Sequence, residues 1–456
     1  MKNVIAIFDV GKTNKKLLLF DEQYKVVFER QARFTEIEDE DGFPCENVEA
    51  LRSSVYDSLQ EVIHDTAYNI KAINFSGYGA SFVFVDDKGE PVAPLYNYLK
   101  PYDDKLLKQF YDTYGGQKKF TQLTASPVLG NLNSGMQLYR LKYEKPELFR
   151  QIKCALHLPQ YLACLISGKM YSDLTSIGCH TNLWNFEKKD YHEWVAKEEV
   201  LEKMAPVVAS NKTVITSFAG KKIKTGPGLH DSSAALIPYL LNFKDPFVLI
   251  STGTWCISLN PFNHSTLTEE ELQNDCLCYL QFNGNPVKAA RLFAGYEHDE
   301  QTKRIADHFN MDKAFYRNIF FNDELTSLLQ KNSTGDTVSL QQTAFATRDL
   351  SAFTSEEEAY HQLMIDIVAQ QVFSTKFVLE NKKTKRVFVD GGFSKNEIYM
   401  NLLAAAFPEM EVYATSMAQA SALGAALAIH DAWNKKPIPS EVIGLQYYSS
   451  VHSTSI

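Results

Sequence analysis

The chain has 456 residues, of which 45% are hydrophobic and 22% charged, an ordinary composition for a globular protein of two or three domains. Its formal net charge of −9 argues against a nucleic-acid-binding surface, and the seven scattered cysteines indicate reduced thiols. The first apolar run ends at Asp9, and no window approaches the roughly 18 apolar residues of a membrane span. We therefore expect no signal peptide and a cytoplasmic location.

The first predicted elements are antiparallel strands. Residues 4–8 and 15–21 are predicted strands joined by the turn DVGKTN at 9–14, and residues 24–28 are a predicted third strand. The turn contains Gly-Lys-Thr but is not a P-loop, because Ala6 stands where the first glycine belongs and a strand follows it instead of a helix. It is a hairpin turn with the carboxylate of Asp9 at its base.

An acidic loop at 36–41 precedes a helix and a second hairpin. Asn47 is the predicted N-cap of a helix whose apolar residues recur every three or four positions. Residues 73–76 are a predicted buried strand. Residues 81–85, the turn 86–89 and the chain from Pro91 onward are predicted to form another hairpin.

The same order of elements begins again near residue 247. A strand at 247–250 enters the turn 251–254 and leaves as a second strand at 255–259. Ser355 and Glu358 predict a capping box for a long helix, which a strand at 387–389 and a glycine pair follow. This repetition suggests a duplicated fold with a cleft between lobes of residues 1–243 and 244–456.

Three segments carry the chemistry that phosphate transfer needs, namely accessible N–H groups, a positive side chain and a carboxylate for Mg²⁺. The turn at 9–14 supplies all three, although an ordinary hairpin turn explains it equally well. The turn at 251–254 brings three hydroxyl groups that are costly to bury without partners. The segment 387–396 places two glycines before a predicted helix N-terminus, which suits a nucleotide, and a tight turn is the alternative. The small-residue helix at 420–426 is favoured as a packing helix.

Together, DVGKTNKK, STGTW, DGGFSKN and ASALGAAL resemble the motifs of FGGY-family carbohydrate kinases, closest to the rhamnulokinase and L-fuculokinase branch, over nearly the whole chain. The resemblance implies an α/β, duplicated actin-like ATPase (ribonuclease-H-like) fold with two lobes and a central cleft. Residues 1–243 would be the sugar-binding lobe with the first phosphate motif, and residues 244–456 the nucleotide-binding lobe. The implied cofactors are ATP and Mg²⁺, with Asp9 as the metal anchor. The implied cofactor-binding residues are Gly11, Thr13, Asn14, Lys16, Thr252, Gly253, Thr254, Gly391, Gly392 and Asn396.

The resemblance also implies that Asp231, in GLHDSSAAL, is the general base that accepts a proton from a sugar hydroxyl. From the residues alone, an N-cap role for Asp231 is equally open. The chain departs from the branch at Lys12, Ser81 and Leu99-Lys100. The residues expected to contact the sugar are Tyr78, Gly79, Ser81, Asn97, Tyr98, His180 and His230.

The predicted function is ATP-dependent phosphorylation of a small sugar, a ketose such as L-rhamnulose or L-fuculose, by in-line transfer of the γ-phosphoryl group. The alternative is a catalytically weak regulator of the same fold that binds nucleotide or sugar, and an actin-like or chaperone-like ATPase is a further rival. The expected partner is a small-molecule sugar, with no nucleic acid and no membrane, and a homodimer is left open as the assembly.

Overall fold

The computed structural model describes residues 1–332, 338–380, 384–417 and 419–449. The first half of the chain builds a seven-stranded sheet with the order β13-β14-β6-β1-β2-β3, in which β15 also pairs with β6. Its elements are β1 (Lys2–Val10), β2 (Lys15–Asp21), β3 (Val26–Ala32), β4 (Ile37–Glu38), β5 (Pro44–Cys45), α1 (Val48–His64), β6 (Tyr68–Gly77), β7 (Phe82–Val85), α2 (Asp104–Thr113), α3 (Gln117–Thr124), α4 (Ser134–Glu144), α5 (Pro146–Gln151), β8 (Cys154–His157), α6 (Leu158–Ser167), β9 (Ser172–Asp173), α7 (Leu174–Ile177), β10 (Trp184–Asn185), β11 (Asp190–Tyr191), α8 (Glu193–Lys197), β12 (Val207–Val208), β13 (Val214–Phe218), β14 (Lys221–Thr225), β15 (Leu229–His230) and α9 (Asp231–Asn242).

The second half builds another seven-stranded sheet, with the order β18-β19-β17-β16-β20-β21-β22. Its elements are β16 (Phe247–Thr252), β17 (Cys256–Asn260), α10 (Glu269–Gln273), β18 (Cys276–Leu280), β19 (Pro286–Leu292), α11 (Ala294–Phe309), α12 (Asp323–Asn332), α13 (Glu356–Lys376), β20 (Arg386–Gly391), α14 (Glu397–Ala406), β21 (Glu411–Ser416), α15 (Ala420–Ala428), α16 (His430–Trp433) and β22 (Gly444–Tyr448). None of the helices in these described ranges is long and apolar enough to cross a membrane.

The two sheets repeat one arrangement of strands. β1 pairs antiparallel with β2 and parallel with β6, and β16 pairs antiparallel with β17 and parallel with β20. The predicted strand-turn-strand units at the start of each half are therefore confirmed. Asn47 caps α1 as predicted, because its Oδ1 accepts the N–H of Ala50 at 3.0 Å.

The hairpin predicted for residues 81–85, the turn 86–89 and the chain from Pro91 onward is present in a short form, because Asp86 N–H donates to the Glu90 carbonyl and Val92 N–H to the Phe84 carbonyl. The main partner of β7 is β8, about seventy residues further along the chain, which the sequence analysis did not predict. Proline has no N–H to donate to a ladder, so the pairing after the turn stays short. All four residues of β7 are fully buried, and β8 supplies the hydrogen bonds that such a strand needs.

The helix of small residues, α15, packs against the first sheet and crosses α9. Ala422, Ala425 and Ala426 share one core cluster with Ile5 and other residues of β1. At the crossing, a Cβ on Gly424 would lie 1.8 Å from the carbonyl oxygen of Ala234, so only glycine permits this approach. The packing role that the composition favoured is therefore correct. The predicted boundary between the lobes at 243/244 divides the chain by sequence position. In the structure, α15 and α16, which come after this boundary, contact the first sheet.

We predict that Gly424→Ala lowers the free energy of unfolding by about 3 kcal/mol, because the added methyl group forces two helix backbones apart. Alanine is intrinsically better than glycine in a helix by about 1 kcal/mol, so a loss must come from the crossing. Urea unfolding followed by circular dichroism measures the change. Gly392→Ala is the matched control, since a Cβ there meets nothing within 4 Å and the backbone is already helical. An equal effect of both substitutions would contradict the prediction.

Candidate functional site

Asp231 lies at the start of α9, immediately after β15, in a cleft between the two sheets. Its Oδ1 accepts the N–H of Ser232 at 2.6 Å, while its Oδ2 accepts no hydrogen bond among the described residues. The residue in the N-cap position is His230, so the N-cap alternative for Asp231 is not supported. Burial raises the pKa of Asp231 to about 6, although 32% of its side chain is exposed.

Asp9, at the end of β1, lies in the same cleft. The hydroxyl of Ser421 on α15 donates to Asp9 Oδ2 at 2.9 Å. Burial, together with the nearby charge of Asp231, raises the pKa of Asp9 to about 6. Within the described part of the chain, no cation forms an ion pair with Asp9. A space of about 320 Å³ beside Asp231 is lined by Ser421 and also by Asp390.

Asp390 is a third carboxylate in this cleft that the sequence analysis missed. It is the last residue before the glycine pair, and burial raises its pKa to about 6 as well. The signal was present in DGGFSKN, where an acidic residue precedes glycines at the end of a buried strand. Three carboxylates with raised pKa values make the cleft the place where proton or metal chemistry is most strongly indicated.

The residues of the first turn that were predicted to bind the cofactor have different hydrogen-bond partners. The N–H of Gly11 closes the turn on the carbonyl of Asn14 at 2.9 Å. Asn14 Oδ1 accepts from Gln31 and Arg33 on the β3 side, which leaves its Nδ2, the group able to donate to a phosphate, without a hydrogen bond among the described residues. Lys16 Nζ donates to Gln419 Oε1 at 3.1 Å, just before α15. Thr13 is exposed, and its N–H makes no hydrogen bond among the described residues.

In the second turn the side chain of Thr252 is occupied. Its hydroxyl donates to the carbonyl of Asp390 and accepts the N–H of Phe393 at 3.0 Å, so the expected hydroxyl contact to phosphate is not available at this position. Thr254 has the same two properties as Thr13. It is exposed, and its N–H makes no hydrogen bond within the described ranges. Gly391 has φ +84°, and a Cβ there would lie 1.8 Å from the carbonyl oxygen of Thr252.

The second turn and the glycine pair form one side of a cavity of about 630 Å³. Gly253, Thr254, Gly392 and Asn396 line this side, as predicted for a nucleotide site. The opposite walls contain aromatic rings, of which Phe393 belongs to DGGFSKN and the others lie on separate elements outside the four motifs. The walls include His298, Tyr316, Phe320 and Phe393. A glycine-rich side facing aromatic walls suits a molecule with phosphates at one end and a flat ring at the other.

Some of the residues predicted to contact a sugar gather near Asp231. His230 Nε2 lies 3.3 Å from Asp231 Oδ1, and a Cβ on Gly79 would touch the His230 ring at 2.9 Å. The rings of His180 and His230 both contact Tyr279. Burial lowers the pKa of each histidine to about 3, so both are neutral at physiological pH.

The other predicted sugar residues differ in their surroundings. Tyr78 and Tyr98 meet edge to face, with centroids 6.1 Å apart. Asn97 Oδ1 accepts the N–H of Leu99 within its own turn. Ser81 is buried, and its hydroxyl has no hydrogen-bond partner among the described residues. Asn97 Oδ1 is therefore used within its own turn, and the Ser81 hydroxyl is closed off from solvent.

Ion pairing accounts for two of the departures from the motif pattern. Lys12 Nζ forms an ion pair with Glu36 at 2.7 Å. Its charge is therefore already partnered and is not free for a phosphate. Lys100 Nζ pairs with Asp39 at 2.5 Å and Asp41 at 2.6 Å. The acidic segment 36–41 is thus held against the first lobe by lysines and is not simply a solvated loop.

Comparison with known proteins identifies the family. Residues 4–232 match the N-terminal domain of the FGGY family of carbohydrate kinases, and residues 244–437 match the C-terminal domain of carbohydrate kinase FGGY. A rhamnulokinase from Halalkalibacterium halodurans is 22% identical over an alignment of 271 positions that covers 56% of this chain and 56% of that protein, so the match spans little more than half of this relative.

Solved structures show the same fold. A carbohydrate kinase from Novosphingobium aromaticivorans superposes with a TM-score of 0.81 at 20% identity, covering 99% of this chain and 95% of that chain. Plasmodium falciparum glycerol kinase, solved with ADP, gives a TM-score of 0.74 at 14% identity, covering 94% of this chain and 90% of the other. The predicted fold of two actin-like lobes is confirmed.

We predict that Asp231→Asn stabilises the protein at pH 7. The folded-state pKa of about 6 lies above the ordinary carboxyl value, so the folded wild type binds an extra proton between about pH 4 and 6 and gains stability as pH falls. At pH 7 this gain is absent and the buried charge is a cost, so the amide should add about 1 kcal/mol, a figure reduced for partial exposure. Urea unfolding of both proteins at pH 7 and pH 4 measures the difference, which should vanish at pH 4. A constant difference at both pH values would contradict the raised pKa.

Proposed function

The chain belongs to the FGGY family of carbohydrate kinases, and from that premise we propose that it transfers the γ-phosphoryl group of ATP to a hydroxyl group of a small sugar. The observation that carries the proposal is the pair of carboxylates, Asp9 and Asp231, in one cleft. The neutral residues around His230 lie on one side of Asp231, and the second turn and Asp390 lie on the other. This arrangement supplies a base beside a place for a sugar and a place for phosphates.

Asp231 is the proposed general base. Oδ1 is engaged by the Ser232 N–H, which leaves Oδ2 to accept the proton of the sugar hydroxyl as the oxygen attacks phosphorus. With its pKa raised to about 6, the carboxylate is ionised at neutral pH and is a stronger base than an exposed aspartate. General-base assistance of this kind contributes roughly 10²- to 10⁴-fold.

The cavity of about 630 Å³ is the proposed site for ATP. Its aromatic walls suit the base, and its glycine-rich side suits the phosphates. Because the Thr252 hydroxyl is occupied, the unbonded N–H groups of Thr13 and Thr254, one from each lobe, are the proposed main-chain phosphate donors, and Asn14 Nδ2 is the proposed side-chain donor. Lys16, which contacts Gln419 just before α15 and pairs with Glu29 at 3.2 Å, is the predicted positive side chain of the first turn.

Mg²⁺ fits the residues present. Asp9 offers carboxylate oxygens, which are the ligands Mg²⁺ prefers, and it has no ion-pair partner among the described residues. The described residues contain no cluster of three or more side chains able to hold a metal. One carboxylate completed by water and phosphate oxygens is the usual arrangement for Mg²⁺. When bound, the ion would neutralise charge on the phosphates, and Asp9 would hold it through water.

The proposed substrate is a neutral ketose such as L-rhamnulose or L-fuculose. The partial match to a rhamnulokinase supports this branch. His180 and His230 are uncharged, and Lys12 and Lys100 are already paired with carboxylates. Among the described residues, His180 and His230 therefore offer neutral groups for hydrogen bonds to hydroxyl groups, and the cations Lys12, Lys100 and Arg291 already have carboxylate partners.

ADP release from Mg·ATP across rhamnulose, fuculose, ribulose, xylulose, fructose, glycerol, erythritol and gluconate tests the proposal. We expect one neutral ketose to raise ADP release by orders of magnitude, and Asp231→Asn to lose at least 10²-fold in kcat while still binding ADP. Asp57→Asn, an exposed aspartate on α1, is the control and should match the wild type. Activity in the wild type should fall as pH drops through about 6, because Asp231 must be ionised. Flat release across the panel with retained ADP binding would favour the regulator alternative.

Gly392 offers a direct test of the nucleotide site. A Cβ at this position enters open space at the cavity wall, so larger side chains should fill the site without straining the fold. We expect Gly392→Ala to weaken ADP binding slightly and Gly392→Leu to weaken it at least tenfold, both with an unchanged thermal midpoint. Calorimetric titration with ADP measures the series. Unaltered affinity in Gly392→Leu would place the nucleotide elsewhere.

A further inference from the structure

Behind the cavity wall, Tyr360 of α13 connects two residues that line the cavity. Its hydroxyl oxygen lies 2.7 Å from Asn396 Nδ2 and 3.1 Å from His298 Nε2. The Tyr360 side chain is fully buried, while Asn396 and His298 both face the cavity. One hydroxyl group therefore links α13, α11 and the start of α14.

The direction of these hydrogen bonds is fixed by the helix cap. Asn396 Oδ1 accepts the N–H of Tyr399 at 3.0 Å as the cap of α14, so Nδ2 must be the atom that donates to Tyr360. The Tyr360 hydroxyl must then donate its own proton to another atom, and His298 Nε2 is the acceptor within hydrogen-bond distance. His298 is thus neutral and carries its proton on Nδ1. Burial lowers the pKa of His298, which agrees with this assignment.

The same tyrosine supports the aromatic walls. Tyr316 stacks on the Tyr360 ring with centroids 5.7 Å apart, and His298 meets Tyr316 edge to face at 5.0 Å. His298 also contacts Phe393 at 5.3 Å. Four of the cavity-lining residues are therefore connected to Tyr360 directly or through His298.

We propose that Tyr360 is a positioning residue for ATP, whose hydroxyl holds the His298 ring and the first turn of α14 in the shape that the nucleotide requires. The inference rests on the proposed function, because it takes this cavity as the ATP site. A cavity that is ordered before binding avoids the cost of ordering side chains as the ligand enters. Tyr360 does not itself touch ATP, so its effect must pass through His298 and Asn396.

Tyr360→Phe tests this role by removing one oxygen atom while keeping the ring. Asn396 Nδ2 and His298 Nε2 then lose their partner. We expect the ADP Kd from calorimetry and the KM for ATP to rise about five- to tenfold. The KM for the sugar, and kcat at saturating ATP, should stay within about twofold. A purely structural role for Tyr360 would not separate the two substrates in this way.

Tyr399→Phe is the matched control. Tyr399 is also fully buried, lies on α14 and stacks on Phe393 at 4.7 Å, but its hydroxyl makes no hydrogen bond among the described residues. Removing this oxygen should leave the ADP Kd within about twofold of the wild type. A loss of affinity as large as that of Tyr360→Phe would show that any buried hydroxyl matters here, and would overturn the inference.

A second variant keeps the test decisive if Tyr360→Phe folds poorly. Asn396→Ser retains a capping oxygen but is too short to reach Tyr360, so it should also weaken ADP binding more than sugar binding. In the double variant the ADP Kd should match the weaker-binding single variant, because both substitutions break one link. Fully multiplicative effects would overturn the inference. Wild-type affinity in Tyr360→Phe would overturn it while leaving the proposed function intact, whereas failure of the wild type to bind ADP would overturn both.

Discussion

The crossing of α9 and α15 is the constraint on which the site depends. The two helices meet where Gly424 lies against the carbonyl of Ala234, and both begin near the cleft. The start of α9 places Asp231, and the start of α15 places Ser421, which donates to Asp9. Because the helices are packed backbone to backbone, the two carboxylates cannot move independently of the contact between the halves of the chain. Gly424 thus fixes how the starts of α9 and α15 place Asp231 and Ser421 in the cleft.

The carboxylates of the cleft lower the stability of the folded protein, and the hydrophobic cores around the cleft offset this loss. Asp9, Asp231 and Asp390 all have pKa values raised to about 6, and burial is the main cause for each. A raised carboxyl pKa means that the charged form is disfavoured in the folded protein, so each group costs stability at neutral pH. The cores on either side offset this cost, notably the cluster in which α15 joins β1. Buried carboxylates that form no ion pair with a lysine or arginine among the described residues suit a site whose charges are compensated by ligands.

The sequence was sufficient for local features and insufficient for those that join distant residues. The strand-turn-strand units, the Asn47 cap and the positions of Asp9 and Asp231 follow from short patterns, and the structure contains them. The pairing of β7 with β8 was missed because the strands are separated by about seventy residues and no local rule selects the partner. The ion pairs of Lys100 and the aromatic walls of the cavity were missed for the same reason. The hydrogen bonds of the turn side chains could not be predicted either, since a motif shows which groups are present but not which are already bonded.

The hydrogen bonds already made by the side chains of the two turns change which groups are candidates for phosphate contacts. Asn14 and Thr252 were natural candidates for phosphate contacts because they carry polar side chains in glycine-containing turns. In the structure, both side chains stabilise the turns themselves, through Arg33 in one lobe and Phe393 in the other. Main-chain N–H groups without a hydrogen bond among the described residues include those of Thr13 and Thr254, both on exposed residues. Main-chain donors held by bonded side chains need no reordering when an anion arrives, and each lobe contributes such a group. Under the proposed phosphate contacts, Asn14 Oδ1 and the Thr252 hydroxyl therefore act by fixing the backbone of their turns, whereas Asn14 Nδ2 is left for direct contact.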